Sequence, residues 1–446
     1  MITKQTLKQV LLDQREEANL LLRRCTVERE VEAELRASLD DKLIKVIMGV
    51  RRSGKSVLAH RILKDKPYAA VNFDDERLFN INTNELGLVL ESALELYGEV
   101  QYLLLDEIQN VVGWELFVNR LQRNGYGVIV TGSNAHLLSQ ELATHLTGRH
   151  RAFEIFPYSF REFLCAEQIA VPKPPNYSTK EQAELSALFA TYLKEGGFPE
   201  IKDIVNPRIY LQDLYDRAIT RDIAMRHGIR HIRTFKEIAG YVAANCGSKL
   251  TYQNVAQAYG LGSIHTAKNY ITYLQDAYLF FGVDSFSFKH KERVRRPRKM
   301  YGIDTGLIRA VSGSMENRGL MLENLVFVEL FRRGHSVNYY ADAHGKYEVD
   351  FVVGRRKPSD EITLIQVCTD LSRPETRERE LRGLVQAAKA FRDLPDEKLL
   401  VLTMDEREPQ QFAGHHITCK PVWEWLLEET GFPLKCSQNL FVTKFR

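Results

Sequence analysis

Between Lys45 and Leu63 the chain reads KVIMGVRRSGKSVLAHRIL, with Gly49, four residues, then Gly54-Lys55-Ser56. That spacing suits a loop that binds phosphate. The glycines allow a tight path and a close approach of backbone to an anion. Loop N–H groups and the start of a following helix favour negative charge. Lys55 then reaches the β- and γ-phosphates of a nucleotide such as ATP, and Ser56 ligates Mg²⁺. The residues expected around the nucleotide are Gly49, Arg52, Ser53, Gly54, Lys55, Ser56 and Val57. Arg51 and Arg52, inside the loop, are expected to face solvent.

A second stretch, VQYLLLDEIQN, is an apolar run ending in Asp106-Glu107. A carboxylate at the end of a buried strand supports a phosphate-bound Mg²⁺, the role expected of Asp106. Glu107 is then placed to orient and polarise a water, which favours hydrolysis over passive holding. A third run, YGVIVTGSN, ends in polar residues. Asn134, with Ser133 next, is the candidate to touch the γ-phosphate or the water; a turn-forming Asn is the alternative. Arg149 precedes another apolar run. It is the candidate for a finger that neutralises transition-state charge, supplied in cis or by a neighbouring subunit, with Arg151 as the alternative and a solvated or structural arginine as the other reading.

These residues need rigid elements. KLIKVIMG is short, apolar and β-branched, like a buried parallel strand, and SVLAHRILK has helical spacing. The phosphate loop therefore lies between a strand and a helix, the context it requires. At 446 residues the chain is long enough for two to four domains. A hydrophobic fraction of 44% is ordinary for a globular protein. The net charge of +3, from 61 basic and 58 acidic side chains, does not by itself indicate nucleic acid. Six scattered cysteines with no CxxC pair read as reduced thiols, which excludes a disulfide framework or a zinc ribbon. The charged, amphipathic N-terminus has no apolar signal core, and no uncharged apolar run approaches a membrane span. The expectation is a cytoplasmic protein with no membrane partner.

After Phe163 the texture changes. AVPKPPNYSTKEQ is a surface excursion, and two helical patterns follow, with Arg217 and Arg221 on one face. From Thr234 three further helical patterns appear, with Thr251 and Ser263 as caps. In the third, Ile264, Ala267, Ile271 and Leu274 share one face, leaving His265, Lys268 and Asn269 on the other. A strand, the run KHKERVRRPRK and a second strand complete a helix-turn-helix with a wing. Lys289, Lys291, Arg293, Arg295 and Arg296 of that run, with His265, Lys268 and Asn269, are the candidate contacts to duplex DNA. Beyond it, a helix carrying Glu323, a strand carrying Asp350 and a strand carrying Gln366 resemble the metal-binding constellation of a restriction-endonuclease-like nuclease. Gln366-Val367-Cys368 stands where ExK is expected, so the lysine is missing there. Lys346, four before Asp350, is the candidate substitute. A degenerate domain kept for binding or assembly is preferred over an active nuclease.

Taken in order, GVRRSGKS, YLLLDEIQ, VTGSNAHLLS, LTGRHRAFEIFPYSFREF and GGFPE resemble the AAA-superfamily ATP-binding proteins of bacteria and archaea. These pair an ATPase with a C-terminal domain of unknown function. The resemblance runs from about Lys42 to about Val401. It implies an additional-strand AAA core, a winged helix after it, and ATP with Mg²⁺ as cofactors. PYSFREF, GGFPE and the later IDTG are family-like stretches with no evident chemistry. The expected architecture is α/β: a P-loop AAA-type parallel-sheet domain, an all-α/winged-helix module and an α/β restriction-endonuclease-like domain. The boundaries expected are 1–165 for the N-terminal helix and ATPase, 166–232 for a helical connector, 233–302 for the winged helix and 303–446 for the last domain. The functions expected, in order, are an ATP-driven motor or switch on DNA, an ATP-gated nuclease, and an ATP-regulated assembly switch. A homo-oligomer is expected.

Overall fold

The structure is a computed structural model and describes residues 2–25, 27–133, 148–171, 177–287, 296–312, 317–354, 362–391 and 394–428. Asn134 and the basic residues Lys289, Lys291, Arg293 and Arg295 lie outside the described residues.

Five short apolar runs form the first sheet: β1 (Ile44–Met48), β2 (Tyr68–Asn72), β3 (Tyr102–Asp106), β4 (Gly127–Gly132) and β5 (His150–Glu154). They pair in the order β2-β3-β4-β1-β5, and every pairing is parallel. A parallel sheet must be covered on both faces, which is why these strands read as continuous apolar runs rather than as alternations. On one face Ile47, Leu104, Ile129 and Phe153 pack with Leu58 and Ile62 of the helix Lys55–Leu63. On the other, Val46, Leu103, Leu105, Val128 and Val130 pack with Leu7 and Leu11 of the helix Lys4–Arg24 and with Trp114 and Phe117 of the helix Trp114–Arg123. All five strands run the same way, so the loops after β1, β3 and β4 open at one end of the sheet, where open α/β sheets bind ligands.

A helical region follows: Phe160–Ala166, Thr179–Glu195, Pro207–Arg217, a π-helical stretch Ala218–Met225, and Ile232–Ala244. Then come helices Tyr252–Ala258 and Ile264–Asp276, whose N-termini are capped by Thr251 and Ser263 accepting from Asn254 N and His265 N, both at 3.1 Å. A small antiparallel sheet, β6 (Lys249–Leu250), β7 (Phe280–Val283) and β8 (Arg298–Gly302), completes this module in the order β6-β8-β7. The last domain holds the helix Arg318–Arg332, then β9 (Ser336–Ala341), β10 (Glu348–Gly354), β11 (Thr363–Val367), the helix Pro374–Ala390, β12 (Leu399–Thr403), β13 (Gln410–Phe412) and β14 (His415–Pro421). Its sheet runs β13-β14-β12-β11-β10-β9. The β9-β10-β11 meander is antiparallel, and β11, β12 and β14 are parallel. The β9–β10 register shifts between Val349 and Val352, the stretch that contains Asp350.

The regions share one core. Phe156 meets Phe331 edge-on at 5.9 Å, Phe281 lies 5.0 Å from Phe331, and Tyr301 stacks on Phe327 at 4.5 Å. The three stretches without evident chemistry meet here. The Gly197 carbonyl accepts from Tyr158 N at 2.6 Å, and Gly197 N donates to Asp304 Oδ2 at 2.7 Å. A Cβ at Gly306 would fall 1.9 Å from the Glu195 carbonyl oxygen, so the glycine is required by close backbone contact. Buried Asp304 caps the helix Thr305–Ser312 through Leu307 N at 2.8 Å, and burial pushes its carboxyl up to about 6. PYSF, GGFPE and IDTG are thus one joint between the parallel-sheet region and the rest of the chain.

Candidate nucleotide site

The loop between β1 and the helix Lys55–Leu63 is built by its glycines. Gly49 has φ +150°, and a Cβ there would meet the Ile155 carbonyl oxygen at 2.0 Å. Gly54, at φ +92°, starts the helix from the left-handed region. Lys55 is 4% exposed; its Nζ donates to the Val50 carbonyl at 3.1 Å and lies 4.0 Å from the Glu107 carboxylate. Burial pulls its pKa down, against the opposing pull of Glu107 and Asp106. Ser53 Oγ, in the same loop, is buried with no hydrogen-bond partner.

Asp106 ends β3. Its Oδ1 accepts from Ser56 Oγ at 3.0 Å and from Thr131 Oγ1. Thr131 Oγ1 also accepts from Glu107 N at 3.0 Å, so one buried hydroxyl on β4 positions both acidic residues. Glu107 has φ +50°, an uncommon conformation for a residue with a side chain and one that clusters at functional sites. Gln109 Nε2 and Ser133 Oγ, the latter at 3.3 Å, both donate to Glu107 Oε2. The strained backbone and the two donors aim one carboxylate into the space beside Lys55.

The residues present fit a nucleotide with Mg²⁺. Lys55 is buried beside Glu107, and Ser53 Oγ of the same loop is buried without a partner. Ser56 Oγ and Asp106 would hold the metal, whose charge is what a buried carboxylate without an ion pair calls for. Burial first, then the charge of Glu107, push the Asp106 carboxyl up to about 6. In an unfolded chain it titrates near 3.9. Ionised Asp106 therefore destabilises the nucleotide-free fold, by an amount that grows from pH about 4 to about 6 and is full above. A shift of about two units corresponds to roughly 3 kcal/mol. Asp106→Asn should raise the melting temperature of nucleotide-free protein at pH 7.5, with a smaller rise at pH 5, while weakening Mg²⁺-nucleotide binding. Thermal melts at the two pH values check this, and a lower melting point at pH 7.5 would contradict it.

Three arginines around the loop depart from the sequence expectation or escaped it. Arg51 does not face solvent: its Nη2 lies 3.1 Å from Asp74 Oδ2 and its Nη1 3.4 Å from Asp222 Oδ1. Asp222 sits in the π-helical stretch, and Arg221 beside it pairs with Asp74 at 3.0 Å. Arg52 is half exposed but pairs with Glu200 of GGFPE at 2.8 Å. Arg29, unremarked in the sequence, is 6% exposed and lies behind the loop. It donates to the Ser53 carbonyl at 2.8 Å, the Phe156 carbonyl at 2.6 Å and Glu162 Oε1 at 2.9 Å. Glu162 is the Glu of PYSFREF, and it also lies 3.8 Å from Arg332 of the last domain.

Other expected residues fall elsewhere. The Arg149 carbonyl accepts from Ile44 N at 2.9 Å, at the start of β1 and β5. Five strand residues, roughly 16 Å, separate it from the loop, so it does not enter its own site. Arg151 pairs with Glu34 at 2.6 Å. Val57 lies on the helix after the loop, and His265, Lys268 and Asn269 are exposed on the helix Ile264–Asp276. Arg296, expected to face DNA, turns inward instead, donating to the Ala341 carbonyl at 2.6 Å and Ser285 Oγ at 3.2 Å. Glu323, Asp350 and Gln366 do come together in the last domain. Lys346 is exposed in the turn before β10, over the Tyr347 ring. The lysine among the carboxylates is Lys299 of β8. Its place in a basic run hid it.

The parallel sheet, its phosphate loop and the Asp106-Glu107 strand end define a P-loop nucleotide-binding domain of the AAA class. The sequence matches an AAA domain over residues 41–164, then two domains of unknown function, DUF8612 over 186–318 and DUF4143 over 318–425. The uncharacterized protein MJ1544 of Methanocaldococcus jannaschii is 35% identical over 451 residues, covering 96% of each chain, and the present chain belongs to its family. An uncharacterized protein of Haemophilus influenzae is 32% identical over 352 residues, covering 74% of this chain and 84% of that one. Among solved structures, the Walker-type ATPase PABY2304 of Pyrococcus abyssi aligns with 64% of this chain and 95% of its own, at 15% identity and a TM-score of 0.42. The Aeropyrum pernix ORC1 protein, solved in complex with DNA, aligns with 65% of this chain and 94% of its own, at 13% identity and a TM-score of 0.28. Among the described residues no helix is long and apolar enough to cross a membrane.

Proposed function

We propose that this protein is an ATP-hydrolysing switch that moves its C-terminal half relative to the ATPase core. The observation that supports hydrolysis is the Glu107 carboxylate, fixed by Gln109 and Ser133 beside buried Lys55. Ser56 and Asp106 would hold Mg²⁺, which would supply positive charge to the nucleotide's phosphates. Lys55 would neutralise the charge that develops between the β- and γ-phosphates, and Glu107 would accept a hydrogen bond from the attacking water and turn its lone pair towards phosphorus. Asn134, outside the described residues, is retained from the sequence as the candidate sensor. Arg149 can serve as a finger only from one subunit to the next, which is consistent with a homo-oligomer.

Coupling is supported by three contacts of the loop. Arg29 joins it to PYSFREF, Arg52 to GGFPE, and Arg51 to the π-helical stretch. A shift of the loop on nucleotide exchange would strain all three. On this reading the three-helix module with β7 and β8 is a winged helix, and the last domain, with its helix-meander-helix-strand order, is restriction-endonuclease-like.

Duplex DNA is the load we infer, because His265, Lys268 and Asn269 are presented together on an exposed helix face. Of the basic run, Arg296, Arg298 and Lys299 are committed to protein partners, so the helix face carries the contact among the described residues. Binding of a labelled duplex should weaken steeply between 50 and 200 mM salt. Lys268→Ala should lower the salt slope by about 1. ATP turnover measured with and without duplex should change with DNA. No binding at low salt, or a variant with the wild-type slope, would turn the reading towards a switch in protein assembly.

A further inference from the structure

The last domain contains a cleft of about 760 Å³ lined by Glu323, Asp350, Gln366, Glu380, Lys346 and Arg379 among others. A nuclease-like fold calls for a divalent cation on such carboxylates. The donor set does not fit one. Lys299 Nζ, from β8 of the neighbouring module, lies 2.9 Å from Glu323 Oε1, 2.9 Å from Glu348 Oε1 and 3.2 Å from Asp350 Oδ1. Lys299 is only 4% exposed.

Two of the remaining oxygens are also engaged. Asp350 Oδ2 accepts from Val367 N at 3.0 Å, and Glu348 Oε2 faces Lys249 Nζ at 2.6 Å. Glu323 Oε1 accepts from Tyr301 OH at 2.6 Å as well. Gln366, where a second carboxylate is expected, offers Oε1 to Asp350 N at 3.3 Å and gives its Nε2 to Glu380 at 2.6 Å. Among the described residues no group of three or more acidic, His or Cys side chains is arranged to hold a metal.

We propose that the Lys299 ammonium is the resident cation of the Glu323–Glu348–Asp350 cluster, standing where a nuclease would hold its metal and locking β8 to the last domain. The lock has a second part. Asn324 exchanges two hydrogen bonds with the backbone of Gly302, at 2.7 and 2.9 Å, and the Tyr339 carbonyl accepts from Phe286 N at 2.6 Å. β7, β8 and the last domain therefore move as one body, and cleavage of DNA at this cluster is absent. The inference takes only the fold of the last domain from the reading above. It does not depend on ATP turnover.

The test uses nucleotide-free, full-length protein carrying Asp106→Asn, so that metal at the nucleotide site is not counted. Free Mn²⁺ is followed by electron paramagnetic resonance during titration. The Asp106→Asn protein should leave the Mn²⁺ signal undiminished. Adding Lys299→Ala should produce uptake of one ion per chain, and further addition of Asp350→Asn should abolish it. Mn²⁺ uptake by Asp106→Asn itself that Asp350→Asn removes would overturn the proposal, as would a folded Lys299→Ala protein that takes up none. If Lys299→Ala does not fold, the pair with and without Asp350→Asn decides alone. As a separate arm, wild type with Mn²⁺ should leave supercoiled plasmid intact, and nicking lost in Asp350→Asn would overturn the proposal.

Discussion

Glu107→Gln should bind ATP with near wild-type affinity and hydrolyse it about 10²- to 10⁴-fold more slowly. That loss corresponds to about 3–5 kcal/mol of barrier. Gln keeps the size of the side chain, so the donors from Gln109 and Ser133 still find a carbonyl oxygen to meet. It removes the negative charge that polarises water. Removing charge from beside Lys55 and Asp106 also relieves like-charge crowding of Asp106, whose carboxyl Glu107 helps to push up. It also withdraws the charge that offsets burial of the Lys55 ammonium, so the two effects on the stability of the nucleotide-free variant oppose each other. Steady-state phosphate release and binding of a fluorescent ATP analogue measure the two sides. Wild-type turnover in the variant would remove Glu107 from the chemistry.

Arg29→Met should cost about 3–5 kcal/mol of stability and most of the nucleotide affinity. The pair with Glu162 is buried at both ends, with side chains 7% and 2% exposed. Losing the guanidinium takes the nearer of two cations from a buried carboxylate and leaves the Ser53 and Phe156 carbonyls without their donor. Arg29→Lys should not rescue it, because an ammonium cannot span three acceptors as a planar fork does. The effect should depend on pH. Burial raises the Glu162 carboxyl, but Arg29 and Arg332 outweigh it and hold the group below its ordinary value of 4.5. Its stabilising contribution is thus present above that value and is lost as pH falls through the lower folded one. The gap in stability between wild type and Arg29→Met, measured by urea unfolding, should be wide at neutral pH and narrow in acid. A gap that stays constant would mean that Arg29 acts by packing alone.

The sequence made the nucleotide site legible because local chemistry dictates it. A glycine spacing, a helix start and a strand ending in two acids are short-range signals, and the fold brings Lys55, Ser56, Asp106 and Glu107 together. The α/β class was legible for the same reason, from apolar runs between helical patterns. What supports the site was not. Arg29 and Glu162 are separated by 133 residues, and nothing local distinguishes either from a surface charge. Thr131 was passed over for its neighbours, although a hydroxyl at a buried strand end can bridge two acids. Arg51 looked solvent-bound because its partners, Asp74 and Asp222, arrive from a loop and from the π-helical stretch. Lys299 and Arg296 were hidden by composition: a run of cations reads as one solvated patch, yet each takes a separate partner. Lys346 was the inverse case, chosen for a spacing of four from Asp350 on a strand that begins only at Glu348.

The central claim is that the buried Lys55–Asp106–Glu107 site splits ATP. A single-turnover assay with protein in excess over γ-labelled ATP and Mg²⁺ tests it most directly. Wild type should release labelled phosphate, Glu107→Gln should retain intact ATP, and Lys55→Ala should neither retain nor split it. Intact ATP bound to wild type at the end of the assay, or equal phosphate release by Lys55→Ala, would contradict the account.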